Sequence, residues 1–149
     1  MKVLRTTLVT LALVLAMAAP ASAAKWTPAK LAKAAHGDPF ACKVSHSWGP
    51  KQNKCALLVV NRDKPWLGRE SIKIAGCETG GKWNEDAGKN DGGFYKGLGQ
   101  FAPGTWRSLP KRLAKHSPFS PVWMGRAMRY LRLKDGDWHQ WPYCSQHAL

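Results

Sequence analysis

Acidic side chains are scarce in this chain: nine Asp and Glu stand against 23 Lys and Arg in 149 residues, a formal net charge of +14. A reaction that needs a pair of carboxylates therefore has few to draw on. Metal ligands are equally thin. The four Cys and five His include no Cys-x-x-Cys pair and no two His at helical spacing, which argues against a zinc site, and neither a metal nor a cofactor is expected. A calcium loop read from Asp86 fails as well, because its sixth position is Asp91 where an EF-hand needs glycine. Past the first two dozen residues no stretch approaches the roughly 20 apolar residues that span a bilayer, so no membrane insertion is expected. There is no internal repeat, no sustained heptad and no low-complexity tail, which leaves an ordinary globular domain.

What the chain does have begins at its start. Lys2 and Arg5, an apolar run over 8–19 and Ala21-Ser22-Ala23 predict a secretory signal peptide over residues 1–23. Its removal takes away two cations and no acid, leaving a mature charge of +12 on a chain long enough for one domain with a real core. In an oxidising compartment Cys42, Cys55, Cys77 and Cys144 should form two disulfides. Three connectivities are open; the favoured one closes a local loop with Cys42–Cys55 and ties mid-chain to the end with Cys77–Cys144. An excess of positive charge implies a polyanionic partner or surface; nucleic acid is the usual one, but on a chain expected to be secreted or wall-associated, anionic cell-wall polymers also attract a basic protein by long-range field, and the plainer role of the charge is solubility. A monomer is expected.

Local signals outline the elements. Thr27-Pro28 ahead of residues 29–36 and Gly37 predicts a short helix. Residues 38–61 read as irregular, apart from Ala56-Leu57-Leu58-Val59-Val60, which suits either a strand or a buried helical turn. Asp63 as cap, Pro65 in the first turn and Gly80-Gly81 as stop predict a helix over 63–78. On a 3.6-residue period Leu67, Ser71, Ile74, Ala75 and Glu78 share one stripe. Glu78 thus joins a core-facing stripe at the negative end of a helix dipole, which disfavours its anion twice and should raise its pKa, the condition a general acid needs. Seven glycines from Gly80 to Gly99, with Asn84, Asn90 and Asp91, predict turns or a small hairpin in a long loop over the site. Residues 101–108 suit a short helix, Leu109-Pro110 a break, and 111–115 a basic turn. Ser120-Pro121 opens the clearest helix, with Met124, Ala127, Met128 and Leu131 on one face, Arg126, Arg129 and Arg132 between them, and Gly136 as stop. The fold class expected is mainly α, with α+β as the alternative: long loops or a small β insertion, stapled by two disulfides.

Four blocks stand in order along residues 72–144: Gly76-Cys77-Glu78-Thr79-Gly80-Gly81-Lys82-Trp83, then Gly97-Leu98-Gly99-Gln100-Phe101, then Thr105-Trp106, then Trp141-Pro142-Tyr143-Cys144. In this pattern the chain resembles the catalytic domain of the resuscitation-promoting factors, lysozyme-like proteins related to the soluble lytic transglycosylases. The resemblance implies a compact lysozyme-like domain, taken over 64–149; residues 25–69 lie outside the matched blocks, and 24–63 is read from its own cysteines as an N-terminal subregion with a local disulfide. It implies Glu78 as catalytic acid, Thr105 as a substrate contact and a Cys77–Cys144 bridge, and peptidoglycan glycan strands as the partner. The chain departs from the family pattern in a longer loop between Trp83 and Gln100, in Gly99 inserted before Gln100, and in Thr79 where serine is common.

Each singled-out residue also has a plainer role. Trp83, Tyr95, Trp106, Trp138 and Trp141 suit packing and sugar stacking about equally; Trp83, Tyr95, Trp106 and Trp141 are taken as substrate-binding candidates with Gln100 and Thr105. Gln100 suits a turn and Thr105 an N-cap. A second carboxylate, if one acts, would be Glu85, Asp86 or Asp91, all in the glycine-rich loop where acids commonly form turns. The expected activity is cleavage of the β-1,4 bond between N-acetylmuramic acid and N-acetylglucosamine by a single glutamate, as a lytic transglycosylase or muramidase. A non-catalytic cationic glycan binder is the main rival. A nucleic-acid-binding or membrane-disrupting protein, suggested by Arg107, Lys111, Arg112 and Lys115 beside Trp106, is the other.

Overall fold

The computed structural model describes residues 27–44, 47–90 and 92–149. The leader over 1–23 and the candidate acid Asp91 lie outside the described residues. The order of elements is α1 (Pro28–Ala34), a 3₁₀ turn (Pro39–Cys42), α2 (Pro50–Val60), α3 (Pro65–Glu78), α4 (Pro103–Ser108), α5 (Lys111–Ala114), α6 (Pro121–Asp135) and α7 (Pro142–Ala148). All of these except α5 open on a proline. A proline at the first helical position fixes φ in advance and lacks only an N–H that would have had no partner there, so the prolines set where each helix starts. Among the described residues β structure is limited to two isolated bridges, Val44 with Ser47 and Lys96 with Phe101. The fold is therefore mainly α, and the small β insertion is not realised: glycines between Gly80 and Gly99 hold turns, one of them locked by the Lys96 ammonium donating to the carbonyls of Gly88 and Gly93.

Two hydrophobic clusters are stitched together by α2 and α6. The larger gathers Leu67, Ile74 and Ala75 of α3, Met124, Ala127, Met128 and Leu131 of α6, and most of the tryptophans. The smaller gathers Ala35, the Cys42 and Cys55 pair, Ala56, Val59 and Val122. Helix α2 feeds both, Leu57 into the larger and Ala56 and Val59 into the smaller. That settles the run 56–60 as helix: a helix buried on two sides shows no period in a stretch of five apolar residues. Close approach of α2 to α6 relies on Gly125, where a Cβ would lie 2.9 Å from Leu57 Cδ2. The N-terminal subregion is thus tied to the rest through a shared helix and a shared core.

Asp63 does not cap α3. The cap position is Lys64, which makes no side-chain capping bond. The Asp63 carboxylate instead accepts two bonds from the Arg129 guanidinium on α6, at 2.6 and 2.7 Å. That bidentate pairing lowers its pKa to about 2. Helix α6 ends as expected, on Gly136 in the left-handed region at φ 82°.

Candidate active site

Glu78 is the last residue of α3, and the turn that follows it is tightly specified. Thr79 Oγ1 donates to the Ala75 carbonyl at 2.8 Å and accepts from the Trp83 amide at 3.2 Å, and the Gly81 amide returns to the Gly76 carbonyl at 2.8 Å. Gly80 and Gly81 take φ of 56° and 78°, conformations open to glycine at little cost. Trp83, also at positive φ (56°), lays its ring against Gly76, where a Cβ would stand 3.1 Å from Cζ2. The segment is anchored from α2 by the buried Asn53, whose Nδ2 donates to the Trp83 carbonyl at 2.8 Å and to Glu85 Oε2 at 3.0 Å. Asn53 had no signal in the sequence, since its partners lie 30 and 32 positions away.

The Glu78 side chain itself is half-buried, and it makes no hydrogen bond or ion pair among the described residues. Burial without a donor penalises its charged form and raises its pKa above the ordinary carboxylate value of 4.5. Of the candidate second acids, Glu85 is engaged by Asn53, and Asp86 forms an exposed pair with Lys89 at 3.1 Å. Neither shares the condition of Glu78. No cluster of three or more His, Cys, Asp or Glu suited to a metal occurs among the described residues.

Four of the substrate-binding candidates come together. Tyr95, Gln100, Thr105 and Trp141 line one cleft of about 130 Å³, with Phe101, Ala102 and Gln140. It is smaller than the roughly 300 Å³ at which pockets for drug-sized ligands begin, so it is a small notch. Gln100 sits at φ 46°, held by its own Nε2 and backbone N–H, which both reach the Gly97 carbonyl at 2.7 and 3.2 Å. Such a left-handed conformation in a non-glycine residue costs on the order of 1–3 kcal/mol and commonly marks a site. The inserted Gly99 has a physical reason: a Cβ there would meet Met124 Sδ at 2.9 Å and the Phe101 ring at 3.0 Å, and its carbonyl accepts from Trp141 Nε1 at 2.6 Å. Thr105 lies within α4 rather than at its N-cap, which is Ala102.

The tryptophans divide differently from the sequence reading. Trp83 and Trp106 are packed into the core, 7% and 6% exposed, and present no ring face for a sugar. Trp106 Nε1 is spent on the His116 carbonyl at 3.1 Å, and its ring meets Phe101 edge-on at 5.3 Å. Trp138 is likewise buried, with Nε1 on Glu70 Oε2 at 2.7 Å. Trp141 is buried too, and reaches the cleft only as part of its wall. At the cleft the exposed ring is that of Tyr95, with its exposed neighbour Phe94 edge to face at 5.2 Å; Tyr143, Phe40 and Trp66 are exposed elsewhere.

Glu78 is not among the residues lining the notch. The two are connected by covalent structure: Cys77 is bonded to Cys144, three residues beyond Trp141 on α7. Cys42 pairs with Cys55, so both disulfides follow the favoured connectivity. No family model matches the chain, and no characterised protein or solved structure matches it.

Proposed function

We propose that the chain is an exported enzyme that cleaves the β-1,4 bond between N-acetylmuramic acid and N-acetylglucosamine in peptidoglycan, with Glu78 as its single acid. The observation that carries this reading is the state of that carboxyl group: half-buried, raised in pKa by desolvation, and without a hydrogen-bond or charge partner among the described residues. A structural glutamate would be paired or fully solvated. One left half-dry keeps its proton to higher pH than an ordinary carboxyl group and can donate it to a leaving glycosidic oxygen. The four-block pattern of the sequence and the lysozyme-like resemblance agree with this assignment, and the notch at Gln100 and Thr105 is the proposed subsite for one sugar, with Tyr95 offering a stacking face.

With no second carboxylate in a comparable state among the described residues, the developing oxocarbenium ion is stabilised by the substrate's own 2-acetamido oxygen. Glu78 donates its proton to the departing N-acetylglucosamine O4, and the bond to the muramic-acid anomeric carbon breaks. The resulting carboxylate then takes a proton from the muramic-acid 6-hydroxyl, whose oxygen closes a 1,6-anhydro ring, or from a water that hydrolyses the intermediate. The resemblance favours the anhydro product.

Purified walls digested with wild type and Glu78→Gln test the assignment. The amide keeps the side-chain shape but has no carboxylic proton, so cleavage should fall by at least about 100-fold while wall binding survives. Mass spectrometry of the muropeptides separates the two outcomes, since anhydro products are lighter by one water. A folded Glu78→Gln that still cleaves walls at the wild-type rate would end the assignment, and a protein that sediments with walls and never cleaves them would be the glycan binder.

A further inference from the structure

Between α5 and α6 runs a groove of about 700 Å³, larger than the Gln100 notch and sharing no lining residue with it. Leu113, Tyr130 and Leu133 give it apolar walls; Arg112, Lys115, Arg126, Arg129 and Lys134 line it as well, and no acidic side chain does. Two of those cations are answered from outside, Arg129 by Asp63 and Lys134 by Asp135 at 3.7 Å. Arg112, Lys115 and Arg126 meet no carboxylate among the described residues. Arg126 lies 4.3 Å over the Trp123 ring, and His116 stacks on that same ring at 3.3 Å and 6°. Desolvation, with the Lys115 and Arg126 charges added to it, holds the His116 imidazole below its usual pKa. Positive charge is thus in excess along an open groove, where it attracts an anionic chain.

We propose that this groove is a docking site for a polyol-phosphate chain, an anionic polymer in which short polyol units are joined by phosphodiesters. Three features select that chemistry. The groove sets cations beside apolar side chains, which suits a polymer that alternates charge with short carbon units. Its one indole is covered by His116 and Arg126, which leaves Tyr130 as the single aromatic ring on the groove and no run of rings on which successive bases could stack, the contact that drives single-strand binding. Arg112 and Lys115 are three residues apart along the α5 turn, which places their Cβ atoms about 5–6 Å from each other, so both side chains can meet phosphates separated by one short polyol unit. Aliphatic carbons of the polyol would rest on Leu113 and Leu133 while phosphates meet the guanidinium forks. The assignment stands apart from the glycosidic reading, since none of these residues lines the notch.

The test uses the mature full chain carrying Glu78→Gln, so that cleavage plays no part, and a purified poly(glycerol phosphate) as probe. Binding should weaken at least about tenfold in Arg112→Gln/Lys115→Gln/Arg126→Gln, and the slope of log affinity against log salt should fall by up to about three. Lys30→Gln/Lys33→Gln/Lys43→Gln removes equal charge elsewhere and should change affinity less than about threefold. In the unmutated groove the polymer should shift the NMR signals of His116 and Leu133 and leave those of Gln100 and Thr105 in place, a readout that needs no substitution to fold. Equal losses in both triple variants, or shifts confined to the notch, would overturn the site. Tighter groove-dependent binding of a single-stranded oligonucleotide of equal charge, or of phosphatidylglycerol vesicles, would overturn the partner.

Discussion

The Glu78 carboxyl group loses water on folding and gains no donor in return, so its folded-state pKa lies above its unfolded one. The linkage sign follows: the folded state holds this proton more tightly, so the stability it contributes is full below the ordinary carboxylate value of 4.5 and is lost as pH rises through the raised pKa. Glu78→Gln should therefore match the wild type in thermal unfolding at pH 4 and exceed it slightly at pH 7, a trade of stability for function of the kind active sites often show. Activity should follow the same proton, falling as pH climbs through that raised pKa instead of through 4.5. Unfolding curves of both proteins across pH 4 to 8 decide the matter; a Gln variant less stable than wild type at pH 7 would mean that the carboxylate has a stabilising partner after all. Gln100 strains in a different way, through its backbone at φ 46°, and its own amide tether to Gly97 shows how that strain is held.

Between elements, the Asp63–Arg129 pair joins the α2–α3 turn to the middle of α6, and Arg129 also donates to the Val60 carbonyl at 3.3 Å. Because pairing lowers the Asp63 pKa from 3.8 to about 2, its stabilisation is present above pH 4 and disappears as pH falls through 2. Asp63→Asn should lower the melting temperature at pH 6 by a small amount, with the difference from wild type closing toward pH 2; a difference constant over that range would assign the effect to the turn and not to the ion pair. The same pair marks the limit of what was legible in sequence. Asp63 looked like a helix cap because capping is a local signal, whereas its partner lies 66 positions away. The stripe on α3, the apolar face of α6 and its Gly136 stop could be read because a 3.6-residue period and a terminal glycine carry their meaning within one helix. Helix α2 escaped because it is buried on two sides, and the packing of Trp83 and Trp106 was not readable because an aromatic ring suits a core as well as a groove. The partial burial of Glu78 was legible from its place on the stripe, while Asn53, which anchors the segment after it, was not.

For the molecule as a whole, the two disulfides close loops of very different length, a sequence separation of 13 for Cys42–Cys55 and of 67 for Cys77–Cys144. In the chain-entropy model these are worth roughly 3 and 4 kcal/mol, each a large part of the stability of a small domain. Their positions differ more than their energies. Cys42 and Cys55 belong to the smaller hydrophobic cluster, none of whose buried residues lines the notch. Cys77 precedes the proposed acid, and Cys144 sits on α7 three residues past Trp141, which walls the notch and bonds to Gly99 beside Gln100. The second bridge therefore ties the proposed acid and the proposed sugar subsite into one frame, and misplacement of a reacting group by about 1 Å is enough to cost on the order of 100-fold in rate. Cys42→Ala/Cys55→Ala should melt earlier yet cleave walls at the wild-type rate per folded molecule. Cys77→Ala/Cys144→Ala should melt earlier still and, at a temperature where near-ultraviolet circular dichroism of the buried tryptophans reports a folded core, cleave at least about tenfold more slowly. Equal rates per folded molecule in the two double variants would reduce the second bridge to a staple on the unfolded chain, and the frame between Glu78 and the notch would then rest on the packing of α3 against α7 alone.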